Sequence, residues 1–248
     1  MVDIEFIEEI TSTNDVLLER GKAGVKEDMV LAAFRQTGGK GRRGRSFFSP
    51  ARSGLYMSIL LHPQLLLEDS FKITTLMAVA AAEAIEEYDT GVIDIKWVND
   101  LYKDGRKISG ILTECSPNII NGVPEYMVCG IGINLFVPDE GFPEDIKDKA
   151  GTVFGDTCDC MTNEALSTLK KGLSYSIYEH FMKYYKDLPF VSFYAEYMER
   201  SFLIGRRVQI LDGPSVMVLG VDEELGLIVE HEDRTREVLR AGEVSLIL

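Results

Sequence analysis

Histidine and cysteine are scarce in this 248-residue chain. The three histidines, His62, His180 and His231, stand far apart and form no ligand motif. The four cysteines are too few to staple a protein of this size, and Cys158-x-Cys160 is not a zinc spacing. A metal held mainly by protein side chains is therefore not expected, and a reducing, cytoplasmic setting is. No apolar run approaches the roughly eighteen residues of a membrane span, and the acidic start MVDIEFIEEI lacks a signal-peptide pattern. Cations are also short: 26 Lys and Arg against 40 Asp and Glu give a formal charge of −14. That balance argues against a nucleic-acid partner, which calls for a basic footprint. There is no Gly-x-Ser-x-Gly elbow and no Cys/His pair of evident design.

Against that acidic background, one stretch concentrates positive charge. Gln36 to Pro50 reads QTGGKGRRGRSFFSP and holds Gly38, Gly39, Gly41 and Gly44 with Lys40, Arg42, Arg43 and Arg45. Glycine permits close backbone approach, and arginine offers a planar fork that fits carboxylate or phosphate. The stretch reads as a loop that closes over an anion; a solvated basic loop is the alternative. It is not an NTPase phosphate loop. Arg45 stands where that loop needs lysine, and Phe47, Phe48, Ser49 and Pro50 do not start a helix.

Upstream, Ser12, Thr13, Asn14 and Asp15 are more capping groups than one helix start needs, so they also suit a polar ligand head. The helix itself is expected over Val16 to Arg20, stopped by Gly21. Met29 to Phe34 and Gly54 to Leu61 read as buried strands, Asp69 to Tyr88 as an apolar core helix, and Thr162 to Asp187 as an amphipathic one. A shorter helix ends near Arg200.

Asp104-Gly105 between two β-rich runs predicts a hairpin. Strict alternation from that turn puts Asp100 opposite Ser109 and places Asp100, Tyr102, Lys107 and Ser109 on one face. Trp97, Asn99, Leu101, Ile108, Gly110 and Leu112 fall on the other. Asp100 and Lys107 become diagonal neighbours roughly 7 Å apart, a gap that suits an oxygen ligand or Mg²⁺ with its phosphate. An exposed ion pair is the plainer alternative. Glu125 to Val137 is a further strand in which Gly130 and Gly132 invite close approach, followed by Asn134, a donor and acceptor for an adenine edge or ribose. From Gly205 the chain turns to five short strands, which indicate a small β-barrel and a boundary near Leu203.

Five segments in order resemble the biotin protein ligase family, over nearly the whole chain. They are Ser12-Thr13-Asn14, Gln36 with GGKGRRGR, Lys96-Trp97-Val98-Asn99-Asp100, Lys107-Ile108-Ser109-Gly110-Ile111-Leu112, and GIGIN from Gly130 to Asn134. The resemblance implies an α+β fold: a mixed-sheet catalytic domain of class II synthetase-like type with packed helices over 1–202, and a C-terminal β-barrel over 203–248. It implies ATP-dependent activation of biotin to biotinyl-5′-AMP, then transfer to a lysine of a biotin carboxyl carrier protein, with ATP, biotin and Mg²⁺ as the small-molecule set. Lys107 and Arg42 would stabilise charge at the attacking carboxylate and α-phosphate, and Asp100 would position Mg²⁺. Ser12, Thr13, Gln36 and the backbone of Lys40, Gly41 and Arg42 would meet biotin's ureido ring and carboxylate. Arg45 and Asn134 would face the nucleotide, with Phe47 near adenine and Gly130 and Gly132 on the adenine-side strand, and Asn14, Gly39, Asn99 and Gly110 would complete the ligand-binding set. Lys40, Phe47, Val98 and Ile247 depart from residues common in the family. No DNA-binding module precedes the catalytic part, so repressor activity is not expected; dimerisation by sheet edges stays open. A lipoate or octanoate ligase of the sister family, and a non-catalytic acyl-adenylate sensor, are the competing readings. The first lacks its Arg-Arg-x-x-Gly-Gly-Gly motif here, and the second is opposed by Asp100 and Lys107 together.

Overall fold

The computed structural model describes residues 3–155, 158–159, 161–188, 191–240 and 244–246. Its centre is a seven-stranded sheet in the order β1-β2-β3-β9-β6-β5-β4. The strands are β1 (Ile4–Ile7), β2 (Met29–Ala33), β3 (Gly54–Leu61), β4 (Asp94–Lys96), β5 (Asp100–Lys103), β6 (Arg106–Cys115) and β9 (Met127–Asn134). Only β1 and β2 run parallel; every other pairing is antiparallel. Between β6 and β9 sits the small hairpin β7 (Ile119–Ile120) and β8 (Val123–Pro124), turned by Asn121-Gly122, a strong turn dipeptide.

Period-two alternation sends the two sheet faces into different cores. Val30, Ala32, Ile59 and Cys129 join the large core, which also takes α2 (Phe71–Glu86) and α3 (Asn163–Tyr185). Leu31, Leu60 and Val128 join a smaller core with Leu17 of α1 (Thr13–Lys22) and Tyr126. Helix α2 is apolar nearly all round because it lies between the sheet and α3. Helix α4 (Tyr194–Arg200) leads into a second sheet. That sheet is antiparallel and five-stranded, in the order β13-β12-β11-β10-β14, from β10 (Arg207–Ile210), β11 (Ser215–Val221), β12 (Leu227–Glu230), β13 (Arg236–Leu239) and β14 (Val244–Leu246). Among the described residues no pairing joins β13 to β14. Ile247 lies outside the described residues. The Trp97 indole N–H donates to Leu225 O at 3.1 Å, a buried bond that ties the β4–β5 turn to the second sheet.

Two expectations are corrected. Helix α1 starts at Thr13 and runs through Gly21 to Lys22, because the Tyr126 ring fills the space a side chain at Gly21 would need. The Asp104-Gly105 turn forms, and Tyr102 pairs with Lys107 as expected. A bulge then shifts the register, so Leu101 pairs with Ser109 and Asp100 with Gly110. Ser109 is turned into the interior, and Gly110 joins Lys107 and Asp100 on the open face.

Candidate active site

A pocket of about 130 Å³ opens beside the N-terminus of α1, where the loop after β2 folds over β9 and β6. Its first wall is the Ser12-Thr13-Asn14 run. Ser12 caps α1, its Oγ accepting from Asp15 N–H at 3.4 Å. Only one residue is needed for that cap; Thr13 and Asn14 are buried for other partners. The Thr13 backbone N–H donates to Gln36 Oε1 at 2.7 Å, and Thr13 Oγ1 lies 3.1 Å from the same oxygen. Asn14 Nδ2 donates to Glu114 Oε2 at 2.8 Å and Leu112 O at 3.2 Å, while its Oδ1 accepts from the Ser58 hydroxyl at 2.6 Å.

The glycine-rich loop forms the lid side and is internally braced. Phe47 N–H donates to Gly39 O at 2.9 Å, and Gly41 N–H to Arg45 O at 2.7 Å. The tip turns through Arg43 and Gly44, both at positive φ (58° and 73°), and Gly44 pays no side-chain penalty there. Lys40 reaches back to the Asp15 carboxylate, and that hydrogen bond holds its ammonium above the usual lysine range.

The third wall carries the charge. Lys107 Nζ donates to Asp100 Oδ1 at 2.6 Å, and Asn99 Nδ2 donates to the same oxygen at 3.1 Å. Asn99 Oδ1 in turn accepts from Arg42 at 3.0 Å, joining loop to hairpin. Asp100 and Lys107, expected as diagonal neighbours, meet in a direct ion pair, the plainer of the two alternatives. Asn99 belongs to the site rather than to the opposite face, because it lies in the β4–β5 turn, where strand alternation does not apply. Beside this group, burial followed by the Asp100 charge pushes the Tyr102 phenol up to about 12.

Two glycines make room for the walls. A side-chain carbon at Gly132 would come within 2.5 Å of the Phe47 ring, and one at Gly130 would overlap Asn14 Oδ1. Phe47 therefore lies across β9 next to Gly110 and Gly132, edge-on to Tyr56 at 6.4 Å. Of the residues expected at the site, Ser12, Thr13, Asn14, Gln36, Lys40, Gly41, Arg42, Arg45, Phe47, Asn99, Asp100, Lys107, Gly110, Gly130 and Gly132 line the pocket. Gly39 does not; it packs behind the loop against Ser49 and the Phe47 carbonyl. Asn134 does not either, and its amide nitrogen donates to Gly151 O at 3.1 Å. Lys96, Trp97, Ile111 and Val244 also line the pocket without having been singled out. Lys96 and Trp97 stood inside a motif already noticed. Val244 comes from the second sheet, and nothing near it in sequence announces the site.

Among the described lining residues are five cations, Lys40, Arg42, Arg45, Lys96 and Lys107, and a single carboxylate, Asp100. In a chain of net charge −14, such a pocket selects an anion carrying several negative charges. No group of three or more His, Cys, Asp or Glu converges on a metal position among the described residues. One carboxylate in a cationic pocket fits a hard cation that arrives with phosphate oxygens, not a protein-built cage.

Comparison with known proteins bears on this site. The sequence model of the biotin/lipoate A/B protein ligase family matches residues 6–134. The chain is 29% identical over 241 residues to the bifunctional ligase/repressor BirA of Bacillus subtilis, covering 94% of this chain and 70% of that protein. It is 26% identical over 255 residues to the biotin–[acetyl-CoA-carboxylase] ligase of Mycobacterium tuberculosis, covering 99% and 86%. Among solved structures, the biotin protein ligase from Aquifex aeolicus in complex with biotin and ATP superposes with a TM-score of 0.73 at 28% identity, over 100% of this chain and 99% of that one.

Proposed function

The chain belongs to the biotin/lipoate A/B protein ligase family, and we propose that it activates biotin with ATP and passes the biotinyl group to a lysine of a biotin carboxyl carrier protein or domain. The observation that carries this reading is the pocket's charge: five cations around one carboxylate in an acidic protein. A carboxylic acid and a nucleoside triphosphate are the pair of anions such a pocket would bring together.

In the first step a carboxylate oxygen of biotin attacks the α-phosphorus of ATP. The bond from that phosphorus to the bridging oxygen breaks, and pyrophosphate leaves. Lys107 and Arg42 hold the attacking carboxylate and the α-phosphate and offset the charge that develops there. Electrostatic stabilisation of this kind is worth roughly 3–4 kcal/mol per group. The ion pair with Asp100 and the bond to Asn99 fix these two cations before substrate arrives, so little reorganisation is needed. Asp100 is the residue that would hold Mg²⁺, which supplies further charge neutralisation when it enters with ATP. Arg45 and Phe47 face the nucleotide, and Phe47 has a flat ring to stack on adenine. Asn134 and Gly39, outside the pocket lining, support the neighbouring backbone instead.

In the second step the neutral amine of the acceptor lysine attacks the acyl carbon. A C–N bond forms, the acyl C–O bond breaks, AMP leaves, and the nitrogen's proton passes to water. We read the large sheet as a class II synthetase-like catalytic domain over 1–202, and the second sheet as a small C-terminal barrel over 203–248. The seat of Val244 in the pocket lining supports a role for that second part in closing the site. Incubating the protein with ATP, Mg²⁺, biotin and a biotin carboxyl carrier domain tests the whole reaction. The expected result is one biotinyl mass added at a single lysine; an acceptor left unmodified by folded protein contradicts it.

A further inference from the structure

We propose that Gly151 is a positioning residue for the first step: it lets a short strap, Lys149 to Gly151, lie against Lys107 and set where that lysine's ammonium stands in the pocket. The inference deepens the ligase reading and rests on it for the reaction that Lys107 serves.

Lys107 needs such a support because the sheet holds it poorly. The β6–β9 ladder starts at the Ser109–Ile133 pair, so Lys107 has no neighbour in β9. On its other side it pairs with Tyr102, at the point where the β5–β6 register shifts. The strap takes the place of the missing neighbour. Lys107 N–H donates to Lys149 O and Gly151 N–H donates to Lys107 O, each at 2.8 Å. Ala150 forms a parallel bridge with Lys107. Both backbone polar groups of Lys107 are thus held by the strap.

The strap is itself anchored at the end of β9. The Asn134 amide nitrogen donates to Gly151 O at 3.1 Å, and Val153 N–H donates to Asn134 O at 2.9 Å. From the hairpin, Lys103 Nζ adds a bond to Val153 O at 2.6 Å. The close approach requires glycine. A side-chain carbon at Gly151 would stand 2.7 Å from Arg106 Cβ, an atom fixed to the backbone of β6 that cannot swing away. The next nearest atoms, Arg106 C and Ile108 Cγ2, would lie at 3.5 Å, which is ordinary contact. With a methyl at 151, strap and β6 must part. Lys107 Nζ lines the pocket and meets Asp100 Oδ1 at 2.6 Å, so a shift of its backbone carries the cation away from the reacting phosphate. A misplacement of about 1 Å in such a group can cost about 10²-fold in rate. The rival role for the strap is packing alone, with no bearing on the ammonium.

Gly151→Ala, alone and combined with Arg106→Gly or Lys107→Ala, separates these roles. The readouts are single-turnover formation of biotinyl-5′-AMP, KM values from pyrophosphate release, and amide hydrogen exchange of the ligand-free protein. Gly151→Ala should slow adenylation about 10–100-fold and leave the KM values for biotin and ATP within about twofold, the mark of an interaction made in the transition state. Arg106→Gly removes the obstructing carbon, so adding Gly151→Ala to it should cost less than about threefold. Adding Gly151→Ala to Lys107→Ala should also cost less than about threefold, because the strap acts through that ammonium. An unchanged rate for Gly151→Ala, or its full loss in the Arg106→Gly background, overturns the assignment. Its full loss in the Lys107→Ala background overturns it in favour of packing alone. The exchange arm needs no substrate: the Lys107 amide should exchange at least about tenfold faster in Gly151→Ala than in wild type, while the amides of α2 keep their rates. Equal exchange at Lys107 overturns the strap. Wild-type protein that forms no biotinyl-5′-AMP overturns the ligase reading instead, and the exchange result still decides the strap.

Discussion

Replacing Lys107 by alanine separates what this residue does for the fold from what it does for the reaction. Its ammonium pairs with Asp100 at 2.6 Å, with the two side chains 35% and 17% exposed. An ion pair still open to water is worth about 1 kcal/mol at most. The backbone of Lys107 stays anchored without the side chain, since its N–H donates to Lys149 O and its carbonyl accepts from Gly151 N–H, each at 2.8 Å. Lys107→Ala should therefore lower the melting temperature by only about 2–4 °C. The rate is another matter. Losing one preorganised cation at the α-phosphate costs roughly 3–4 kcal/mol, or about 10²–10³ in the rate of adenylation. Asp100 would also be left with one fewer partner beside incoming phosphates, which adds to the loss. Rapid-quench measurement of biotinyl-5′-AMP formation under single-turnover conditions reads the chemical step directly, with thermal melting run alongside. A loss under about tenfold in folded protein would refute the electrostatic role.

Gly132→Ala should raise the ATP KM by about tenfold or more while sparing biotin, because the new methyl meets the Phe47 ring at 2.5 Å and must displace it; a nucleotide titration checks this, and unchanged affinity contradicts it. Trp97→Phe removes the buried bond to Leu225 O and should cost about 1–3 kcal/mol in urea unfolding. Lys170 is buried over the Phe34 ring, and burial pushes its ammonium down to about 8. Its unfolded value lies near 10.5, so between those two values the unfolded chain binds the extra proton and stability gained from this group rises with pH. The slope is at most about 1.36 kcal/mol per pH unit. Lys170→Met should remove that rise from the difference between variant and wild-type unfolding curves, and identical pH dependence would contradict it.

Much of the fold was legible because local signals and long-range packing agree. The long helices α2 and α3, the buried strands β2, β3 and β9, and the Asp104-Gly105 turn all follow from periodicity and turn chemistry. The site was legible where its groups lie in short runs, as in Ser12 to Asn14 or Gln36 to Phe47. What alternation missed was the single extra residue in β6: it moves Ser109 inward and Gly110 outward, and no composition signal marks it. Gly21 was misleading as a helix stop because the reason for glycine there is Tyr126, a partner far along the chain. The Asn121-Gly122 hairpin went unread, because its flanking strands are only two residues long and show no alternation. Glu114 and Ser58 could not be found by spacing at all. They meet Asn14 across separations of 100 and 44 residues, and only the sheet brings them together.

The most direct test of the central claim is mass spectrometry of the purified protein after incubation with ATP and Mg²⁺ and, separately, biotin, lipoate or octanoate. The account predicts biotinyl-5′-AMP with biotin and no adenylate with the other two acids. A lipoyl or octanoyl adenylate, or no adenylate from folded protein with any acid, would contradict it.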